Sequence, residues 1–319
     1  MEKISGVVCT FNEEKNIAAC LLSLSLAGCN ETVVADDGSS DHTRDIAKKM
    51  GARVRIRKDW SVEATYENWL DFQVKFGWKP TFKAGDRIRN GHLESAEGIS
   101  FAQNDWVLNP DADERVTILD YDQLQREMAQ CDILNCLFVH EHRPDGSPVK
   151  VTRIIKMFKK SKVEIAARTH TCLIPHGKVM NTDSLRIDHY QNVGHTQSDV
   201  LPILEYSIIQ EDDSRSRFYL GREYYFHGEF AKAEKLVDYY LAHADFPAEI
   251  TVARLLRANI LWRDGSGRGD EVRAECLRAL TENPQQSETL RLLSEVYVEP
   301  WSHKWAQLAE HATDEDTLF

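Results

Sequence analysis

At 319 residues, with 42% hydrophobic and 28% charged residues, the chain has the composition of an ordinary soluble globular protein of one or two domains. Most of the net charge of −12 lies beyond residue 200, which argues against a polyphosphate backbone as partner there, because that affinity needs clustered cations. No apolar run approaches a membrane-spanning helix, and Glu13, Glu14 and Lys15 follow too closely on the apolar run Ile4 to Phe11 for a secretory signal. The seven cysteines, an odd number, lack paired spacing, and Cys9, Cys20, Cys131 and Cys136 sit in apolar contexts that read as buried free thiols in a reducing, cytoplasmic location.

The first half alternates strand and helix. Val7 to Phe11 is a predicted strand, followed by a helix from about Glu13 with Ile17, Leu21 and Leu24 on one face. Glu31 to Ala35 is a second strand, and Ser40 or Asp41 caps a helix that Gly51 ends. Val54 and Ile56 alternate with arginines in a third. A less regular stretch, Asp59 to Gly85, holds Trp60, Tyr66, Trp69, Phe72, Phe76 and Trp78, read either as core beneath an insertion or as a platform for an acceptor. A helix from Asp86 to Ala102 leads into the strand Trp106 to Leu108. A helix with Leu124 and Met128 comes next, then strands at Ile133–Val139 and Ile154–Phe158 joined through the turn Pro144-Asp145-Gly146. Such alternation specifies an α/β sheet.

Near Asp199 the pattern turns helical, with faces Ala233-Leu236-Val237-Tyr240-Leu241, Val252-Leu256-Ile260 and Val272-Cys276-Leu280. Pro247 and Pro284 stand 37 residues apart, close to the roughly 34 residues of tetratricopeptide repeats. The expected division is an α/β domain over 1–199 and an all-α helical-repeat domain over 200–319.

Two acidic segments carry the chemistry: Asp36-Asp37-Gly38-Ser39-Ser40-Asp41 after the second strand, and Asp111-Ala112-Asp113-Glu114 after Trp106 to Leu108. In alternating α/β proteins the carboxyl ends of strands face the ligand crevice. Carboxylate oxygens there suit Mg²⁺ or Mn²⁺. An aspartate-rich loop also turns the chain or caps a helix, and for Asp41 capping is the better account.

With Cys9-Thr10-Phe11-Asn12-Glu13-Glu14 at the first strand's end and Arg89-Asn90-Gly91 before Asp105-Trp106, these segments resemble glycosyltransferase family 2, of the GT-A fold, over residues 1 to 200. The resemblance implies that Thr10, Phe11, Asn12, Glu14, Asp36, Asp37, Arg89, Asn90 and Asp111 hold the nucleotide of a nucleoside-diphosphate sugar, UDP-linked in most of the family. Asp111 and Asp113 form its metal motif, Asp-x-Asp, for Mn²⁺ or Mg²⁺. Pro110 departs from the hydrophobic residue expected before it.

Further on, Arg153…Met157-Phe158-Lys159, Arg168-Thr169-His170-Thr171 and Ile187-Asp188-His189-Tyr190 are similar to a branch that includes peptide and lipopolysaccharide-core glycosyltransferases with tetratricopeptide-like tails. That resemblance makes His189 a third metal ligand or a diphosphate contact; a histidine satisfied at a strand end is the alternative. The branch has a glutamate where Thr171 stands, so the base that deprotonates an acceptor is open. His170 serves as base or merely orients its loop, and Glu164 or a carboxylate of the tryptophan-rich insert are other options. Lys156, Lys159, Lys160 and Lys162 read as a solvated face or a diphosphate contact.

The resemblance thus implies inverting sugar transfer to a glycan, a peptide or a modified nucleobase, with self-association through the helical tail. A nucleotidyltransferase is a rival, although Cys9 to Lys15 lacks the glycine-rich phosphate loop it needs. The third alternative is a non-catalytic interaction protein working through its helical surface.

Overall fold

The chain starts with β1 (Ile4–Thr10), whose side chains alternate between two buried faces, and continues through α1 (Ile17–Leu26), β2 (Glu31–Asp36), α2 (Thr43–Lys49), β3 (Arg53–Ile56) and β4 (Ser61–Glu63). Next come α3 (Tyr66–Phe76), β5 (Arg87–Arg89), α4 (Gly91–Ser100), β6 (Trp106–Leu108), β7 (Glu114–Ile118) and α5 (Tyr121–Met128). The long strands β8 (Ile133–His142) and β9 (Pro148–Lys159) precede β10 (Val163–Ala166), β11 (Cys172–Pro175) and β12 (Val179–His189). Seven helices follow: α6 (Leu201–Gln210), α7 (Ser214–Phe226), α8 (Phe230–His243), α9 (Pro247–Arg263), α10 (Gly269–Glu282), α11 (Ser287–Val296) and α12 (Trp301–Glu310). This computed structural model describes residues 2–56, 61–89, 91–143, 145–166, 172–190, 200–210, 213–244 and 247–312.

Two compact units result, Met1–Val62 with Arg89–Thr196, and Glu63–Ile88 with Gln197–Phe319. The first is built on a mixed sheet in the order β3-β2-β1-β6-β9-β8-β12-β7. β1 runs parallel to β2 and β6, β2 to β3, and β8 to β12, while β9 is antiparallel to both β6 and β8 and β7 is antiparallel to β12. Six strands therefore point one way, and Thr10, Asp36, Leu108, His142 and His189 all stand along one edge. The mixed sheet, with helices packed on both faces, is the α/β unit expected from the sequence.

Alternation places Ile4, Val8, Val34, Trp106 and Leu108 against α1, α2 and α5 on one face, around Ile17, Leu21, Leu24, Ala47, Leu124 and Met128. Val7, Val33, Val107 and Phe158 pack on the other against Ile99 of α4, Ala102 just beyond it, and Val163, Ile165 and Leu173 of β10–β11.

Several elements differ from the sequence expectation: β4 and α3 form within the stretch read as irregular, and β10 and β11 were not expected. The helix predicted from Asp86 begins at Gly91, because Arg87–Arg89 is a strand that pairs with β4. β7 was not expected; its Val116 is buried between partly exposed neighbours, a weak signal that only the β12 partner makes into a strand. The strands predicted at Ile133–Val139 and Ile154–Phe158 are the inner parts of a longer hairpin. In its turn Gly146 adopts φ +81 and donates to Arg143 O at 2.8 Å; Pro144 lies outside the described residues.

The second unit joins the aromatic insert to the helices. Phe72, Phe76, Phe82 and Ile88 share one core with Leu204, Ile208, Phe218, Leu220, Tyr224 and Leu236. Of the two accounts of that insert, core packing holds for Phe72 and Phe76; Trp60 lies outside the described residues. The insert is also wired by polar contacts: Trp78 Nε1 donates to Tyr224 Oη at 2.9 Å, and Tyr224 Oη donates to Glu205 Oε1 at 2.7 Å. Thr81 donates to Glu205 Oε2 from N at 2.6 Å and from Oγ1 at 2.5 Å. Successive helices pack as neighbours, α7 on α8, α9 on α10 and α11 on α12. Where α7 meets α8 the residue is Gly221, and a Cβ there would stand 3.0 Å from Val237 Cγ2 and 3.3 Å from Ala233 O.

Candidate functional site

The ends of β1 and β2 are stitched together by side chains bonding backbone across the gap. Thr10 and Asp36 are paired residues, and Asp37 N donates to Thr10 O at 2.9 Å. Asn12, at φ +55, receives Ser40 N on Oδ1 at 2.8 Å and donates its own N to Ser39 Oγ at 2.9 Å. Asparagine is among the few residues that tolerate this left-handed conformation. Glu13 N donates to Thr43 Oγ1, Glu14 N to Asp41 Oδ2 and His42 N to Glu14 Oε2, at 2.7, 3.1 and 3.0 Å.

Asp36 is fully buried and anchors its own turn. Its Oδ1 accepts from Gly38 N and Ser39 N at 3.2 and 3.0 Å, its Oδ2 from Ser39 Oγ at 2.5 Å, and Arg44 Nε lies 3.6 Å away. Gly38, at φ +79, permits the tight return. Asp41 accepts from Thr43 N at 3.0 Å in the turn before α2, but the N-cap of that helix is His42 with no side-chain bond, so neither Ser40 nor Asp41 caps it as expected. Hydrogen bonds from Thr43 and Glu14 outweigh desolvation and keep the Asp41 carboxyl below the ordinary value. Thr10 is 3% exposed, and its Oγ1 is a buried hydroxyl with no hydrogen-bond partner among the described residues.

Beyond β6, Asn109 Nδ2 donates to Val7 O at 2.8 Å and so fixes the acidic loop beside the β1 end. The loop closes on itself, with Asp111 N donating to Glu114 Oε2 at 2.8 Å and Glu114 N to Asp111 O at 3.0 Å. The Lys156 ammonium sits between the two carboxylates, 3.0 Å from Asp111 Oδ2 and 2.9 Å from Glu114 Oε1. Burial works against that charge, but Asp111 and Glu114 outweigh it and raise the Lys156 pKa above its ordinary value. Glu114, almost wholly buried, is pushed up to about 7 by desolvation and by the charge of Asp111, against the pull of Lys156. Desolvation also acts upward on Asp111, and the Lys156 charge overcomes it to hold that carboxyl low. Burial pushes the thiol of Cys20, which donates to Asp111 O, up to about 12, so it is neutral and unreactive.

Asp113 meets β12. Its Oδ2 lies 3.3 Å from His189 Nε2, and Tyr190 N donates to Asp113 O at 2.9 Å. The Asp113 hydrogen bond raises the His189 pKa from its ordinary 6.5. His189 stacks on Phe138 at 6.2 Å, and Tyr190 stacks on His142 at 5.0 Å and lies under the Arg115 guanidinium at 5.7 Å.

Of the residues singled out by sequence, Thr10, Phe11, Asn12, Glu14, Asp36 and Asp37 occupy the joined β1–β2 end, and Asp111, Asp113 and His189 meet at the β6–β12 end. Arg89 is described in backbone only, as the last residue of β5, while Asn90, His170 and Thr171 lie outside the described residues. Lys156 is no solvated lysine, and Lys159 and Lys160 are engaged too, with Asp132 and with Ala102 O. Sequence reasoning placed Glu114 in the acidic segment without giving it a role, and did not single out His142. An acidic residue directly after Asp-Ala-Asp was the available signal for the first; for the second there was none short of the strand register.

The carboxylates thus gather at the ends of the parallel strands of a mixed sheet. Residues 5–61 match the family model glycosyl transferase family 2. An uncharacterised glycosyltransferase of Rickettsia typhi is 33% identical over 117 residues, 37% of this chain and 30% of that protein. An uncharacterised protein of Methanocaldococcus jannaschii is 49% identical over 53 residues, 17% of this chain and 22% of that one. The chain thus spans less than a third of either relative. Glucosyl-3-phosphoglycerate synthase of Mycobacterium tuberculosis, solved with Mn²⁺, UDP-glucose and phosphoglyceric acid, is similar at 18% identity and a TM-score of 0.28, over 43% of this chain and 44% of its own. A likeness of that degree assigns no ligand to this chain.

Proposed function

We propose that the chain transfers a sugar from a nucleoside-diphosphate sugar, UDP-linked, to an acceptor nucleophile with inversion at the anomeric carbon. The observation that carries this is the approach of Asp113 and His189 to 3.3 Å at the strand ends, in a unit whose residues 5–61 match glycosyl transferase family 2. A carboxylate oxygen and an imidazole nitrogen suit Mn²⁺, and Mg²⁺ less well. Among the described residues no three His, Cys, Asp or Glu side chains gather around one point. The protein would therefore supply Asp113 and His189, with Asp111 nearby, and leave the remaining positions to diphosphate oxygens and water. Bound there, a divalent cation would neutralise the departing diphosphate.

The chain's own residues do the rest. The stitched β1–β2 end, with the Thr10 hydroxyl and the Asp37 carboxylate, receives the nucleoside, and Asp36 keeps that end rigid. The single Lys156 charge, between Asp111 and Glu114, offsets part of their mutual repulsion and so holds the acidic loop together. Residues 200–319, with the insert packed into them, form a tetratricopeptide-like part that meets the acceptor (glycan, peptide or modified nucleobase) or a second copy.

The test is thermal melting with Mn²⁺ and a panel of nucleotide sugars. A ligand at 100 times its Kd stabilises the folded state by about 2.7 kcal/mol. A UDP-sugar should raise the Tm in Mn²⁺ and not in chelator; no shift from any nucleotide sugar removes the proposal.

A further inference from the structure

We propose that Lys156 makes uptake of the divalent cation depend on the nucleotide. Its ammonium occupies Asp111 and Glu114, which leaves a cation only Asp113 and His189 until a diphosphate arrives. The inference deepens the glycosyl-transfer reading above and rests on it.

Strand β9 is built to deliver this lysine. Opposite β8, Met157 pairs with Leu134 and Ile155 with Asn135, so Lys156 is the extra residue of a β-bulge. Its neighbours show the same break in alternation: Met157 packs in the core beneath α1 and α5, and Ile155 packs against that of the other face. A bulge beside a site re-aims a side chain. Asn109 N donates to Lys156 O at 2.8 Å, which ties the bulge to the root of the acidic loop.

The ammonium thereby enters a group of four side chains of metal-binding type. Register sets Glu114 opposite His189, and residues opposite each other in antiparallel strands share a face. Asp113 Oδ2 is 3.3 Å from His189 Nε2, while Lys156 Nζ is 3.0 Å from Asp111 Oδ2 and 2.9 Å from Glu114 Oε1. Glu114 Oε2 already accepts from Asp111 N at 2.8 Å, so Oε1, the oxygen that remains for a metal, is the one facing the ammonium. The four side chains thus divide into two pairs, one of them filled by the chain's own cation. A single carboxylate with an imidazole holds a divalent ion weakly, and the Lys156 charge repels it. Affinity for a hard cation rises with the number of charged oxygens, and a diphosphate brings them. Metal and nucleotide therefore bind as a pair, each raising affinity for the other by the same factor.

The experiment measures Mn²⁺ affinity from the electron paramagnetic resonance signal of the free ion, with and without UDP. The proteins are the wild type, Lys156→Met and Lys156→Gln, each checked for cooperative melting. The Gln amide keeps a hydrogen bond to the carboxylates, so a neutral variant remains should the Met variant fail to fold. The wild type should bind Mn²⁺ about tenfold or more tightly with UDP than without it. A neutral variant without UDP should bind Mn²⁺ about tenfold or more tightly than the wild type does, and UDP should add correspondingly less. Lys156→Met/Glu114→Gln restores the net charge and removes one freed ligand, so its affinity should return toward that of the wild type. Neutral variants that bind Mn²⁺ without UDP no better than the wild type overturn the assignment, as does a gain that survives in the double variant. Either result leaves the glycosyl-transfer reading standing. A wild-type chain that binds no UDP in Mn²⁺ overturns that reading, and with it the nucleotide's part in this one.

Discussion

A chain ending at residue 199 should be insoluble or non-cooperative, although it keeps every element of the eight-stranded sheet. The reason lies in the insert. Phe72, Phe76 and Phe82 are 0%, 2% and 1% exposed, and they are buried by α6, α7 and α8, which the truncation removes. Exposing a fully buried phenylalanine costs about 1.5–3 kcal/mol, so the three rings together forfeit about 5–9 kcal/mol. That equals a large part of the 5–15 kcal/mol by which a typical domain is stable. The cut also strips Thr81 and Trp78 of Glu205 and Tyr224. The assay is expression, gel filtration and thermal melting of the 1–199 chain beside one ending near residue 283, which loses only α11 and α12. The longer chain should melt cooperatively. Replacing residues 64–87 of the short chain by a flexible linker should recover solubility, because it removes the exposed rings. A 1–199 chain that is monomeric, melts cooperatively and binds UDP would refute the reasoning.

Burial raises the pKa of Glu205 from 4.5, with the hydrogen bonds from Thr81 and Tyr224 opposing. The folded state then keeps a proton that the unfolded chain releases. Unfolding free energy should fall as pH rises from about 4.5 to the raised value and then level off. Glu205→Gln should remove that slope whatever it does to the baseline; denaturant titrations across the window that show the same slope in both proteins would refute this. Gly221→Val should destabilise the helical unit by about 1–3 kcal/mol through overpacking against Val237 and Ala233 O, read as a lower denaturation midpoint. Asp36→Ala leaves the Ser39 hydroxyl and turn amides unpaired and should cost about 1–3 kcal/mol of stability as well as UDP affinity. Unchanged melting in that variant would show that the turn holds without its anchor.

The parts of this structure that were legible in the sequence are those with local signals. β1, α1, β2, α2 and β3 each carry their own periodicity, and Gly51 ends α2 where expected, at φ +83. β6 was legible at its residues, Trp106 to Leu108. What escaped depends on partners distant in sequence. β7 is five residues of mixed polarity that become a strand beside β12, and Arg87–Arg89 reads as the start of a helix until β4 is next to it. The insert's aromatics gave no indication that their partners lie some 130 residues later. In the site, Asp111, Asp113 and His189 were legible through family resemblance, and the structure brings the latter two together. Lys156 was visible only as one of several lysines; β9 running back beside β6 turns it inward. His142 and Asp188 lie on neighbouring strands, and no spacing in the sequence links them.

The central claim is that Asp113 and His189 hold a divalent cation at which a UDP-sugar is broken. Its most direct test is UDP-sugar hydrolysis by the wild type, Asp113→Ala and His189→Ala, with Mn²⁺ and with chelator, each variant first checked for cooperative melting. The account predicts Mn²⁺-dependent turnover in the wild type and loss of the metal stimulation in both folded variants. Normal Mn²⁺-stimulated turnover by Asp113→Ala would contradict it.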